Sequence, residues 1–227
     1  MLKQRLMTFF IIALITICPA LATASVQLDF ASSVGGSTGS LYLGADNHMY
    51  FSFGSMVLLG ASGTALEGAY MELSDLRIDS KAEDYSNPFL NSALYNTTMA
   101  GPSPEMRLYT ADNQLIMTAF LEMNSLLTLG TSVFIGLGMD YEVSGIQLFG
   151  FDNNLVPSAL QPFIDAGIAD IKIELSKAGT DFTSFIDSKN GIGNIQVTTT
   201  LTAVPEPGAV ALFAFGAVWF VKRFRKN

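Results

Sequence analysis

Several stretches of this chain alternate apolar and polar side chains with a period of two, and this pattern constrains the fold more than any other feature. The alternation is clearest in residues 26–30, 170–176 and 194–201. Because successive side chains of a strand point to opposite faces, each stretch predicts a strand with one buried and one solvated face. Residues 25–203 are therefore predicted to form one all-β domain.

Two further segments refine that prediction. In Met71–Asp79 the alternation slips by one position at Ser74, and a β-bulge there would keep the apolar side chains on one face. Residues 106–110 and 114–121 flank Ala111-Asp112-Asn113, which predicts a hairpin.

Roughly nine to eleven short strands separated by turn signals are typical of a β-sandwich, here expected to be jelly-roll-like. A β-solenoid is the weaker alternative, because no fixed rung length is present. Ser32–Ser40 and Lys81–Pro104 are predicted loops, since they are rich in Gly, Ser, Asn and Pro. Pro157–Ala166 predicts one or two helical turns interrupted at Pro162.

The first 24 residues have the layout of a secretory signal peptide. Two basic residues precede an apolar run, and Ala22 and Ala24 form the small-x-small pattern that predicts cleavage before Ser25. Cys18 would suggest a lipoprotein, but Ile17 precedes it where such processing requires small residues.

The C-terminus carries a second targeting segment. Pro205 and Pro207 fix φ and remove two backbone donors, which predicts an extended, accessible peptide. An apolar run of 13 residues follows at 209–221, and four of the last six residues are Lys or Arg. A single hydrophobic helix with its basic end in the cytoplasm is expected, although about 10–14 apolar residues also suit a buried core helix.

This tail, residues 204–227, resembles the PEP-CTERM sorting signal that exosortase-type membrane enzymes recognise and cut. The resemblance implies export, anchoring at the inner membrane through the helix, processing near the motif, and delivery to the cell surface or an exopolysaccharide-rich matrix. It implies that the recognition residues are Pro205, Glu206 and Pro207. It also implies that the topology-setting basic residues are Lys222, Arg223, Arg225 and Lys226.

Charge narrows the classes of partner. Residues 25–203 contain six Lys or Arg against 19 Asp or Glu, for a formal charge of −13, and no cysteine. A nucleic-acid ligand is not expected, because binding phosphates requires clustered Lys and Arg. The domain is predicted to depend on its hydrophobic core, since no disulfide can form in it.

No residue pattern indicates catalysis, and the protein is predicted not to be an enzyme. His48, the only histidine, is expected in a turn. Gly35–Gly39 matches G-x-S-x-G, but no helix is predicted after it, so a loop is expected. Carboxylates are numerous enough for a secreted hydrolase, which is kept as a minor alternative.

Two ligand hypotheses stay open. Asp/Asn-rich turns leave calcium as an optional cofactor, with Asp152 the first ligand to consider, although no D-x-D-x-D-G spacing occurs. Tyr85 and Tyr95, in the predicted 81–104 loop, suggest an extracellular glycan-binding module.

The main expectation is an exported structural or adhesive protein of the cell surface or biofilm matrix.

Overall fold

The computed structural model describes residues 26–32, 37–135, 142–149 and 157–204, and one compact unit spans Gln27–Val204. The unit is all-β with short helices, as the alternation predicts. Within the described residues the strands are β1 (Gln27–Ala31), β2 (Gly39–Leu43), β3 (Met49–Ser52), β4 (Ser55–Leu58), β5 (Tyr70–Leu73), β6 (Asp75–Asp84), β7 (Ser92–Ala100), β8 (Met106–Tyr109), β9 (Leu115–Leu121), β10 (Ser125–Leu129), β11 (Ser132–Ile135), β12 (Glu142–Leu148), β13 (Ala169–Ser176) and β14 (Ile192–Ala203), and the helices are α1 (Gln161–Ala166) and α2 (Phe182–Asp187).

The described strands form one antiparallel sheet that closes into a barrel. Around the barrel they follow the order β1, β14, β2, β3, β6, β7, β10, β11, β13, β12, β9, β8, β5 and β4, and β4 pairs back with β1. The predicted sandwich with jelly-roll connections is not confirmed, because these strands make a single closed sheet. Closure leaves these strands without a long unpaired edge, which would otherwise be a site for aggregation.

Strand β14 pairs with three other strands. Thr198–Thr202 pair with β1, and Gln196–Ala203 pair with β13. The first residues of β14 also reach β2, where Ile192 lies opposite Leu41. The twelve residues of β14 therefore hold together strands from the beginning and the end of the described unit.

Short breaks separate successive strands at two places. Ser74 separates β5 from β6, and the side chains of Met71, Leu73, Leu76 and Ile78 are all buried, as the predicted irregularity requires. Between β3 and β4, Gly54 has a φ of +68°, and a Cβ there would collide with the carbonyl oxygen of Ser37. Only glycine fits that position without strain.

The inside of the barrel is filled with side chains. Along β13 inward positions alternate with outward ones, so Ile171, Ile173 and Leu175 are buried. No buried side-chain nitrogen or oxygen in the described residues lacks a hydrogen-bond partner.

Helix α2, which follows β13, packs its apolar side against the barrel. Phe182 is fully buried and its ring lies 6.1 Å from that of Phe51. Thr183 is hydrogen-bonded to Thr128 through their side-chain oxygens at 2.6 Å. This helix is not predicted from the sequence, although Asp181 caps it by accepting a hydrogen bond from the backbone N–H of Ser184.

An ion-pair network ties the end of α2 to strands β6 and β7. Asp187 accepts hydrogen bonds from Lys81 Nζ at 2.5 Å and from the Tyr95 hydroxyl at 2.9 Å. The bond to Asp187 raises the pKa of Lys81, and burial followed by the same carboxylate raises the pKa of Tyr95. The predicted loop over 81–104 is therefore wrong, because most of it forms β6 and β7.

Helix α1 confirms the predicted helical turn within 157–166 but corrects the role assigned to its proline. Pro162 is the second residue of the helix, where a backbone N–H has no intrahelical acceptor, so it does not interrupt the helix. Phe163 is fully buried. The predicted hairpin between β8 and β9 is confirmed, with Met106 opposite Ala119.

Replacement of Phe182 by Ala should destabilise the protein, because it leaves a cavity where α2 meets the barrel. The expected loss is about 3–5 kcal/mol in the free energy of unfolding. Chemical denaturation followed by circular dichroism measures it. Phe89→Ala is the matched control, since Phe89 is 96% exposed, and it should change stability by no more than about 0.5 kcal/mol. Equal effects of the two substitutions would contradict the packing described for α2.

Candidate binding face

Two tyrosines meet on the outside of the barrel because of the strand register. Leu41 and Phe51 point into the core, so their neighbours Tyr42 and Tyr50 point outward. Tyr42 lies opposite Tyr50 in the β2–β3 pair, and their rings stack with centroids 5.4 Å apart and planes 15° apart. A cross-strand aromatic pair of this kind contributes roughly 0.5–1.5 kcal/mol beyond the area that it buries.

Each tyrosine hydroxyl is held by a carboxylate. Tyr42 donates to Asp75 Oδ2 at 2.6 Å, and Tyr50 donates to Asp46 Oδ2 at 2.7 Å. Asp46 belongs to the tight turn between β2 and β3 and also accepts a hydrogen bond from the backbone N–H of His48 at 3.3 Å. Hydrogen bonds to ionised acceptors are the stronger kind, so these contacts orient both rings.

Arg77, on β6, lies beside the two tyrosines. It lies opposite Tyr50 in the β3–β6 pair, and its Nε donates to Asp79 Oδ1 at 2.6 Å. Asp79 also accepts a hydrogen bond from the hydroxyl of Thr98, which lies opposite Arg77 on β7. We call the surface formed by Tyr42, Asp46, Tyr50, Asp75 and Arg77 the tyrosine–carboxylate face.

Protonation states on this face follow from the same contacts. Burial, followed by the hydrogen bond to Asp75, raises the pKa of Tyr42 to about 12. The hydrogen bond to Asp46 raises the pKa of Tyr50, and it lowers the pKa of Asp46 in return. Near neutral pH the phenols are therefore neutral donors and Asp46 is a charged acceptor.

Glycines shape the surroundings of the two rings. A Cβ at Gly44 would collide with the Tyr50 ring, so that ring lies directly against the turn backbone. On the other side, Gly191, just before β14, lies next to Tyr42, and a Cβ placed there would be 3.9 Å from Tyr42 Cα. Tyr42, which is 38% exposed, therefore adjoins a backbone position that carries no side chain.

The tyrosines predicted from sequence to be exposed are not a pair on the surface. Tyr95 is only 2% exposed and belongs to β7, with its hydroxyl on Asp187, so that prediction is wrong for Tyr95. Tyr85 is half exposed and its hydroxyl is hydrogen-bonded to Glu83. The alternation of Leu41-Tyr42 and Tyr50-Phe51 across a short turn was the sequence signal for the pair that the structure does bring together.

The other residues that the sequence singled out lie elsewhere or form local contacts. His48 lies in the β2–β3 turn, as predicted, with its Nδ1 3.2 Å from Asp46 Oδ2. Ser37 of the G-x-S-x-G match exchanges hydrogen bonds with Ser55, its Oγ accepting from the Ser55 backbone N–H at 2.8 Å. In the part of the chain that the structure describes, no group of three or more His, Cys, Asp or Glu could hold a metal ion. Asp152 lies outside the described residues.

The targeting residues also lie outside the described ranges. They are the signal peptidase residues Ala22 and Ala24, the motif Pro205, Glu206 and Pro207, and the basic residues Lys222, Arg223, Arg225 and Lys226. Among the residues that are described, no helix combines the length and the apolar character needed to cross a bilayer.

Ionisation of Tyr42 should be visible at high pH. The folded protein holds this proton more tightly than the unfolded chain, because the pKa rises from 10.0 to about 12. Its stabilising contribution is therefore complete below pH 10 and is lost as the pH rises through about 12. An absorbance titration of phenolate should show a late step that is absent from Tyr42→Phe. Asp75→Asn should move that step to lower pH, and an unchanged step in both variants would contradict the assignment.

No protein-family model, no curated protein and no solved structure matches the chain.

Proposed function

We propose that this chain is an exported protein of the cell surface or extracellular matrix, with a structural or adhesive role. The C-terminal segment, with its Pro205-Glu206-Pro207 motif, apolar run and basic end, supports sorting by an exosortase-type enzyme. The N-terminal pattern ending at Ala22 and Ala24 supports export. In this proposal the helix holds the protein at the inner membrane until the tail is processed.

The adhesive role is inferred from Tyr42 and Tyr50, which point outward and donate hydrogen bonds to carboxylates. The barrel interior is occupied by its own side chains, so the outer surface is where a partner has room to bind. A closed sheet of this kind also suits an exposed location, because its stability comes from packing and main-chain pairing and needs no disulfide.

A glycan-binding module is the second candidate function, and the same tyrosine pair favours it. Stacked, partly exposed aromatic rings with charged acceptors at their hydroxyls match the mixed apolar and polar surface of a sugar. The two candidates are compatible, because an adhesive matrix protein needs a ligand in the matrix, and exopolysaccharide is the partner expected there.

The sorting proposal is tested by changing the motif in a host that encodes an exosortase. Pro205→Ala combined with Pro207→Ala should stop tail removal, since the accessible extended peptide is lost. The protein should then stay in the membrane fraction with the mass of the uncut chain. Intact-mass measurement of the membrane-bound and released protein provides the readout.

Pro88→Ala is the matched control for that experiment. Pro88 lies in the exposed turn between β6 and β7, so its replacement should leave processing and release unchanged. If the motif variant were released with a shortened tail, as the parent protein is, the sorting proposal would be contradicted. Delivery to the cell surface of a chain that lacks residues 205–227 would show that delivery does not depend on the tail.

A further inference from the structure

We infer that the tyrosine–carboxylate face is a binding site for a neutral saccharide chain, with Tyr42 and Tyr50 as the aromatic contacts. This inference rests on the proposed function, in which the face lies outside the cell and the pair of Tyr42 and Tyr50 meets a ligand of the matrix.

The apolar part of the site is the exposed part of the Tyr42 ring and the backbone of Gly191 beside it. Pyranose rings present a face of C–H groups that packs against aromatic carbons and loses water there. Tyr42 is partly exposed, and Gly191 next to it adds no side chain. A flat sugar ring can therefore approach Tyr42 over the backbone of Gly191.

The polar part of the site has unused acceptor capacity. A carboxylate offers about four lone-pair positions. Asp75 uses Oδ2 to accept from Tyr42, and Asp46 accepts from Tyr50 and from the backbone of His48. The remaining positions can accept hydrogen bonds from sugar hydroxyls while both tyrosine rings stay in place. Because these protein contacts exist before binding, little ordering is required when a ligand arrives.

Charge selects a neutral ligand. The carboxylates of Asp46, Asp75 and Asp79 are accompanied by Arg77 and by Lys189, whose Nζ donates to the carbonyl of Asn47 at 2.9 Å. Positive and negative groups thus alternate around the rings and leave no basic cluster for uronate or sulfate groups. The domain as a whole is strongly acidic and repels anionic polymers.

The chain contains a second stacked tyrosine pair that serves as a matched control. Tyr70 and Tyr109 lie opposite each other on β5 and β8, with ring centroids 5.1 Å apart and planes 17° apart. The hydroxyl of Tyr70 donates to the amide oxygen of Asn113 at 2.9 Å, and not to a carboxylate. This pair reproduces the stacking of Tyr42 and Tyr50 with a neutral acceptor in place of a charged one.

The test uses the full chain purified in detergent, applied to a panel of immobilised neutral hexose oligosaccharides and uronic-acid oligosaccharides. The unmodified chain should bind neutral members of the panel. Tyr42→Ala combined with Tyr50→Ala should weaken that binding by at least about tenfold, because both stacking contacts are lost. Tyr70→Ala combined with Tyr109→Ala should change it by less than about twofold.

Two further variants separate binding from folding. Asp75→Asn and Tyr42→Phe keep the ring and remove its charge-assisted hydrogen bond, so each should weaken binding while circular dichroism and the unfolding midpoint stay near those of the parent. Binding that survives loss of Tyr42 and Tyr50, preference for uronic-acid oligosaccharides, or no binding to any neutral oligosaccharide would each overturn the inference. None of these outcomes alters tail processing, so failure of this inference is distinguishable from failure of the sorting proposal.

Discussion

The pairing of β14 with both β1 and β13 is the constraint on which the rest of this structure depends. Thr198–Thr202 face β1, near the start of the domain, while the same stretch pairs on its other edge with β13. In the closed sheet β14 lies between β1 and β2, and its pairing with β13 adds a further contact beyond that order. Without β14, the facing edges of β1, β2 and β13 would expose unpaired N–H and C=O groups, and the apolar interior would open to water.

Closure also determines where chemistry can occur. Inward side chains fill the barrel, and α2 buries Phe182 beside Phe51. Two networks of polar side chains are therefore found outside the barrel interior. Lys81, Tyr95 and Asp187 form the first, beside α2. Tyr42, Tyr50 and their carboxylates form the second, on the outer surface. The first network fastens a helix to the barrel, whereas the second leaves partly exposed aromatic surface.

Much of the strand content could be predicted from local pattern, and the errors have physical causes. The apolar positions of 171–175 and 195–201 are buried as their alternation predicts, because a period of two directly reflects the geometry of a strand. The polar composition of 81–104 concealed β7, since Tyr95 and Thr97 are buried there while Asn96 faces solvent. Helix α2 spans only six residues, too few for a helical period to be recognised.

By itself, the sequence determined the all-β character, the inward and outward faces of its clearest strands, the acidity of the domain and the targeting hypothesis drawn from its two ends. Tertiary structure alone decided that the strands close into a barrel, that Tyr95 is buried, and that Tyr42 stacks on Tyr50 against Asp75. The physical reason is that alternation specifies which side of a strand is apolar but not which strand lies beside it. Pairing partners such as β1 and β14, more than 160 residues apart, are selected by the packing of the whole domain.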